Sequence, residues 1–114
     1  MNKKKDAINE YKERKLYGGV YTITNTINGR YLIGHTANLK GMQNRFQFSV
    51  SSGSAIYSQL QKDWQAMGPE AFTFEVVEEL EQKPEQNQAE FLEDLKVLEQ
   101  LWRADHDGSK EYPH

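Results

Sequence analysis

The chain contains no cysteine, which excludes disulfide staples and thiolate metal sites together. No apolar run approaches the roughly 20 residues that a membrane-spanning helix needs. The basic start, Met1-Asn2-Lys3-Lys4-Lys5, is not followed by an apolar segment, so it does not read as a secretory signal. No internal repeat and no low-complexity segment interrupts the 114 residues. These absences leave one small domain without membrane contact, and a cytoplasmic location is expected. Apolar residues make up 37% of the chain, enough for one core and a shallow cleft.

A surplus of positive charge is also missing, since the net charge is -3. The distribution says more than the sum. Residues 1–50 hold nine Lys and Arg against three Asp and Glu, whereas residues 51–114 hold five against fourteen. A basic first half can face a polyanion while acidic helices face solvent; equally, acidic helices can serve solubility alone.

The element pattern is mixed. Residues 1–16 read as a charged arm or surface helix, ended by Gly18-Gly19. Val20 to Asn25 is rich in β-branched and aromatic residues and predicts a strand. Asn28-Gly29 predicts a two-residue type I′ turn, with Arg30 to Gly34 as the return strand. Asn38 can cap a helix running toward Val50, with Gly41 weakening its first turn. Ala55 to Met67 predicts a second helix on the spacing of Ile56, Leu60 and Trp64. Gly68-Pro69 stops it, and Ala71 to Val77 predicts a third strand with Phe72, Phe74 and Val76 on one face. Glu90 to Ala104 is an amphipathic helix, and the last ten residues read as frayed. The order strand, strand, helix, helix, strand, helix describes an α+β domain whose small, mostly antiparallel three-stranded sheet is packed by helices.

Two features can carry chemistry. On the last helix Phe91, Leu92, Leu95, Leu98 and Trp102 fall in one stripe roughly 120° wide. Glu99 lies inside that stripe, while Glu90, Glu93, Asp94, Lys96 and Arg103 lie outside it. A carboxylate there reaches solvent at the stripe's edge, pairs with a cation, or binds a metal. The second feature is the hairpin. Its parity puts Tyr21, Ile23, Asn25, Leu32 and Gly34 on one face, and Tyr31, Ile33 and His35 on the other. A strand tyrosine is ordinarily half-buried packing, so Tyr21 alone does not mark a site.

Gly19-Val20-Tyr21, then Leu32-Ile33-Gly34 ten residues on, resembles the paired motifs of the GIY-YIG nuclease family. Asn25, the Asn28-Gly29-Arg30 turn, Arg45 on the following helix and Glu99 within Leu98-Glu99-Gln100-Leu101-Trp102 extend the resemblance over about residues 17–104. It implies the small GIY-YIG endonuclease fold and metal-dependent hydrolysis of phosphodiester bonds in nucleic acid, with DNA the expected substrate. Under that resemblance Tyr21 helps activate water, Arg45 holds the scissile phosphate, and Glu99 ligates a divalent metal, Mg2+ or Mn2+. Arg30, Lys40 and Arg45 are the candidate nucleic-acid contacts. His35, Tyr31 and Asn25 are candidate accessory residues, and His106 and His114 read as incidental.

The chain departs from the pattern in several places. Leu32 stands where the family has tyrosine, and Tyr31 beside it points to the other face. Arg45 sits about three residues late, Ser49 stands where some members have histidine, and no asparagine follows Glu99. A second reading follows from these departures: a module that keeps the fold and binds nucleic acid or protein without catalysis.

Overall fold

The expected element order is the order found in the computed structural model, which describes residues 17–113. The arm or helix expected over 1–16, and His114, lie outside the described residues. The central strand, β1 (Tyr17–Asn25), pairs antiparallel with β2 (Tyr31–Thr36) on one side and β3 (Phe72–Glu81) on the other. Its middle position explains its composition. Val20 and Ile23 are both fully buried although they face opposite ways, because helices cover both faces of the sheet.

The hairpin between β1 and β2 differs from the expected two-residue turn. The Asn25 N–H donates to the Arg30 carbonyl at 2.8 Å, so the loop holds four residues, 26–29. The Asn25 side chain causes this. Its Oδ1 accepts from the Ile27 and Asn28 amides at 3.0 and 3.4 Å, which bends the chain early. Only Gly29 takes positive φ, at 76°. The two extra loop residues, both on the β1 side, move the register by two, and an even shift leaves every side chain on its expected face. Tyr21 therefore opposes Gly34, and Ile23 opposes Leu32.

Helix α1 (Leu39–Ser52) is capped by Asn38, whose Oδ1 accepts from Gly41 N–H at 2.9 Å. Gly41 belongs to this cap rather than weakening it, since an added Cβ would meet the Asn38 amide nitrogen at 2.6 Å. The helix expected over Ala55–Met67 is shorter. A 3-10 turn over Ser58–Leu60 leads into α2 (Gln61–Met67), and Tyr57 is extended at φ -128°, ψ 142°. The spacing misled because Ile56 meets the core from a loop while Leu60 and Trp64 meet it from helical turns. Strand β3 runs four residues past the expected end, because β1 begins at Tyr17 and supplies a partner as far as Glu81. The last helix, α3 (Gln88–Asp105), starts in a capping box between Asn87 and Glu90.

The layers are unequal. Helices α1 and α2 cover the face carrying Tyr21, Ile23 and Leu32, with Phe46, Trp64 and Phe72 in the same core. Helix α3 covers the other face, where Leu98 and Trp102 pack on Val20, Tyr31 and Ile33. Phe91 and Leu95 are buried as the stripe requires, while Leu92 at its edge is 38% exposed.

The tail, as far as the described residues run, is not frayed. Tyr112 is buried, its N–H donates to the Tyr31 carbonyl at 2.7 Å, and its hydroxyl donates to Asp63 at 2.7 Å. The Arg30 guanidinium lies over the same ring, 4.4 Å from its centre. Among the described residues no helix is long and apolar enough to cross a membrane.

Candidate active site

Strand β2 is an edge strand, so side chains from both layers can meet around it. A cavity of about 250 Å³ opens there, lined among others by Tyr21, Leu32, Gly34, His35, Tyr57 and Glu99. Tyr21 arrives from the α1 side and Glu99 from the α3 side, which brings them together across the strand.

The Tyr21 ring is buried, stacks on Phe74 with centres 5.2 Å apart, and lies across Gly34. A Cβ at Gly34 would sit 2.7 Å from the Tyr21 hydroxyl oxygen, so glycine here makes room for the phenol. That hydroxyl is hydrogen-bonded to the hydroxyl of Tyr57. Burial pushes the Tyr21 pKa well above that of an ordinary phenol, and the Tyr57 bond pushes it the same way. The negative charge of Glu99 raises it further, while the positive charge of Arg45 opposes. Both charges thus act on the phenol oxygen.

Glu99 is paired at both oxygens. Its Oε1 lies 2.9 Å from His35 Nδ1, and its Oε2 accepts from Arg103 Nη1 at 2.8 Å. Arg103 also donates through Nε to both Glu111 oxygens at 3.1 Å. Burial works against the Arg103 charge, but its bonds to Glu99 and Glu111 hold its pKa above the ordinary value. The puzzle of a carboxylate on an apolar stripe is thereby resolved: the His35 ring from β2 and the Arg103 guanidinium from the next turn of α3 partner it. Hairpin parity puts His35 on the α3 face, and its place at the end of β2 lets its ring reach both the cavity and Glu99.

The donor set can be tested against a divalent metal. Among the described residues no group of three or more His, Asp or Glu gathers around a common point. Magnesium does not require one, because it keeps several waters and binds through one or two carboxylates plus substrate phosphate oxygens. Glu99 fits that demand: it is an oxygen donor, 15% exposed, at the wall of an open cavity.

The remaining candidates lie elsewhere. Arg45 is exposed on α1 and lines a separate cavity of about 430 Å³ with Asn44, Phe48 and Ser52, so it reaches Tyr21 by charge rather than by contact. Lys40 is exposed on the first turn of α1. Arg30 is half-buried against Tyr112. Asn25 is fully buried and holds the hairpin loop, with its Nδ2 donating to Tyr112 at 3.1 Å. Tyr31 lies on the α3 face, with its hydroxyl donating to the Asp107 carbonyl at 3.0 Å. Asn25 and Tyr31 are structural and stand outside the cavity. His106 is structural too, since its Nδ1 is 2.6 Å from the Trp102 carbonyl and its ring lies against Tyr31. Tyr57 is the cavity residue that the sequence did not expose, because helical periodicity absorbed it.

A three-stranded antiparallel sheet with helices on both faces is an α+β fold that matches the architecture of GIY-YIG nuclease catalytic domains. The solved catalytic domain of the homing endonuclease I-TevI shares this fold, with a TM-score of 0.60 and 19% identity over 83% of this chain and 95% of that one. A glutamate-to-alanine mutant of the same intron endonuclease domain matches with a TM-score of 0.62 and 17% identity, over 86% and 93% of the two chains. By sequence, no protein-family model and no curated protein matches the chain.

Proposed function

We propose that this chain is a nuclease that hydrolyses phosphodiester bonds in nucleic acid, with DNA as substrate and a divalent metal, Mg2+ or Mn2+, as cofactor. The observation that carries the reading is the meeting of the Tyr21 hydroxyl and the Glu99 carboxylate in one cavity, from opposite faces of the sheet, with the charge of Arg45 acting on the same hydroxyl. The fold shared with a homing endonuclease catalytic domain supports it.

Each residue has a role in such a reaction. Tyr21 receives a proton from the attacking water. Arg45 holds the scissile phosphate and offsets the charge that grows on it. Glu99 holds the metal, which when bound supplies Lewis-acid stabilisation of the phosphoryl oxygens. His35 and Arg103 keep the carboxylate in place beforehand, and Arg103 offsets its charge. Leu32 supplies an apolar wall in place of a second phenol from β2.

A second reading is a binding module without catalysis, favoured by the double pairing of Glu99 and by Leu32. A plasmid-nicking assay separates the two. The nuclease reading expects nicking by wild type only with Mg2+ or Mn2+, lost in Glu99→Gln and Tyr21→Phe. Salt-sensitive DNA binding with no nicking under either metal selects the binding module.

A further inference from the structure

Tyr57 is bonded to the one hydroxyl on which the proposed chemistry turns, and nothing in the motif pattern assigns it a role. Among the described residues it is the sole hydrogen-bond partner of the Tyr21 hydroxyl. It comes from the extended segment before the Ser58–Leu60 turn, is half-buried, and lines the cavity, as does Gln59. Its own hydroxyl donates to Met42 Sδ at 3.7 Å, which leaves its oxygen lone pairs to accept from Tyr21. From β2, Leu32 lies on the Tyr21 face and lines the cavity without a polar side-chain atom.

We propose that Tyr57 is a positioning and proton-relay residue: it orients the Tyr21 hydroxyl and takes the Tyr21 proton as Tyr21 receives one from the attacking water. This inference rests on the nuclease reading above. A neutral phenol can accept a proton only as it gives up its own, and burial keeps the Tyr21 phenol neutral at ordinary pH. The step balances as follows. The water oxygen forms a bond to phosphorus and loses a proton to Tyr21 Oη. The Tyr21 proton passes to Tyr57 Oη as the Tyr57 O–H turns from Met42 Sδ toward the open cavity and gives its own proton to solvent water there. The phosphorus–ester oxygen bond breaks, and the leaving oxygen keeps the electron pair and takes a proton from solvent. Both tyrosines end as they began, and the sum is water plus a diester giving a monoester and an alcohol.

The test is single-turnover nicking of plasmid DNA with magnesium, alongside DNA affinity and melting temperature, for wild type, Tyr57→Phe and Tyr57→His. Tyr57→Phe should cut on the order of 100-fold more slowly, the lower range for loss of a proton-transfer group, with DNA affinity unchanged. Tyr57→His should recover much of the rate, with a new inflection near the ordinary imidazole pKa of about 6.5. A purely structural role would give no such inflection. Wild type gives an independent reading that needs no variant to fold: its rate should depend on the deuterium fraction of the solvent along a curve, because more than one proton moves together. Wild-type rates in Tyr57→Phe, or a linear deuterium dependence, overturn the relay and leave the nuclease reading standing. Absence of nicking by wild type overturns the nuclease reading and the relay with it.

Discussion

Replacing Glu99 by glutamine asks whether the paired carboxylate is a support, a metal ligand, or both. A carboxylate stranded on an apolar stripe would be stabilised by losing its charge, so the helical pattern alone predicts a neutral or favourable change. The observed pairing reverses that sign. Glutamine keeps the shape but weakens two charge-assisted hydrogen bonds, each worth about 1.5–3 kcal/mol when fully sheltered. The shelter is incomplete, with Glu99 15% exposed, His35 28% and Arg103 29%, so solvent screens both bonds. Arg103 also retains Glu111. The expected net loss is therefore about 1–2 kcal/mol, which lowers the melting temperature of a domain this size by roughly 4–10 °C. Thermal melts with and without magnesium or manganese measure both roles. A divalent ion that binds only the folded protein, at a hundred times its dissociation constant, adds about 2.7 kcal/mol to wild type and should add nothing to Glu99→Gln. An unchanged metal-free melting temperature would refute the stabilising pairs. A melting shift with metal that survives in the variant would refute Glu99 as the ligand.

Four other outcomes are expected. Tyr21 has its pKa raised mainly by burial, so its contribution to stability is full below the ordinary phenol pKa of about 10 and is lost as pH rises above it; melting temperature should fall less steeply above about pH 10 in Tyr21→Phe, and equal slopes would contradict the assignment. Gly34→Ala puts a methyl 2.7 Å from the Tyr21 hydroxyl and should cut nicking at least about tenfold while DNA affinity holds; wild-type nicking would show that the phenol's position is unimportant. Tyr112→Phe removes bonds to Asp63 and Asn25 and should cost about 1–3 kcal/mol by chemical denaturation, whereas no loss would mean the tail is not anchored through its hydroxyl. Residues 3–15 carry six of the nine Lys and Arg of the first half, so removing residues 1–15 should weaken DNA binding and flatten its dependence on salt; an unchanged slope would place the phosphate contacts on Arg30, Lys40 and Arg45 alone.

Much of the arrangement was legible because period-two and period-3.6 patterns survive tertiary packing. The hairpin faces came from parity, which an even change in loop length does not disturb. The α3 stripe flagged Glu99 because apolar positions at helical spacing leave a carboxylate conspicuous. What failed was governed by contacts between distant residues. The turn was lengthened by one side chain, Asn25, reaching local amides, an alternative that Asn28-Gly29 obscured. Tyr57 was hidden because a residue in an extended bend beside a helix looks like one more helical position. Arg103 and Glu111 gave no sign of meeting, and their pairing depends on a tail turning back over α3.

That returning tail changes how the molecule meets copies of itself. The outer edges of a sheet offer unpaired amides and carbonyls to any neighbouring chain. On the β3 side, Glu75, Glu78, Glu79 and Glu81 crowd one strand with negative charge, so two such edges repel. On the β2 side the protection comes from the chain's own end: Glu111 bridges in parallel to Tyr31, and the Tyr112 N–H occupies the Tyr31 carbonyl. A chain ended before Glu111 would leave that carbonyl open beside the buried apolar residues of β2. Such a protein should stick to itself as its concentration rises, through the same strand edge at which the cavity opens, so its loss of solubility and the covering of the cavity would appear together.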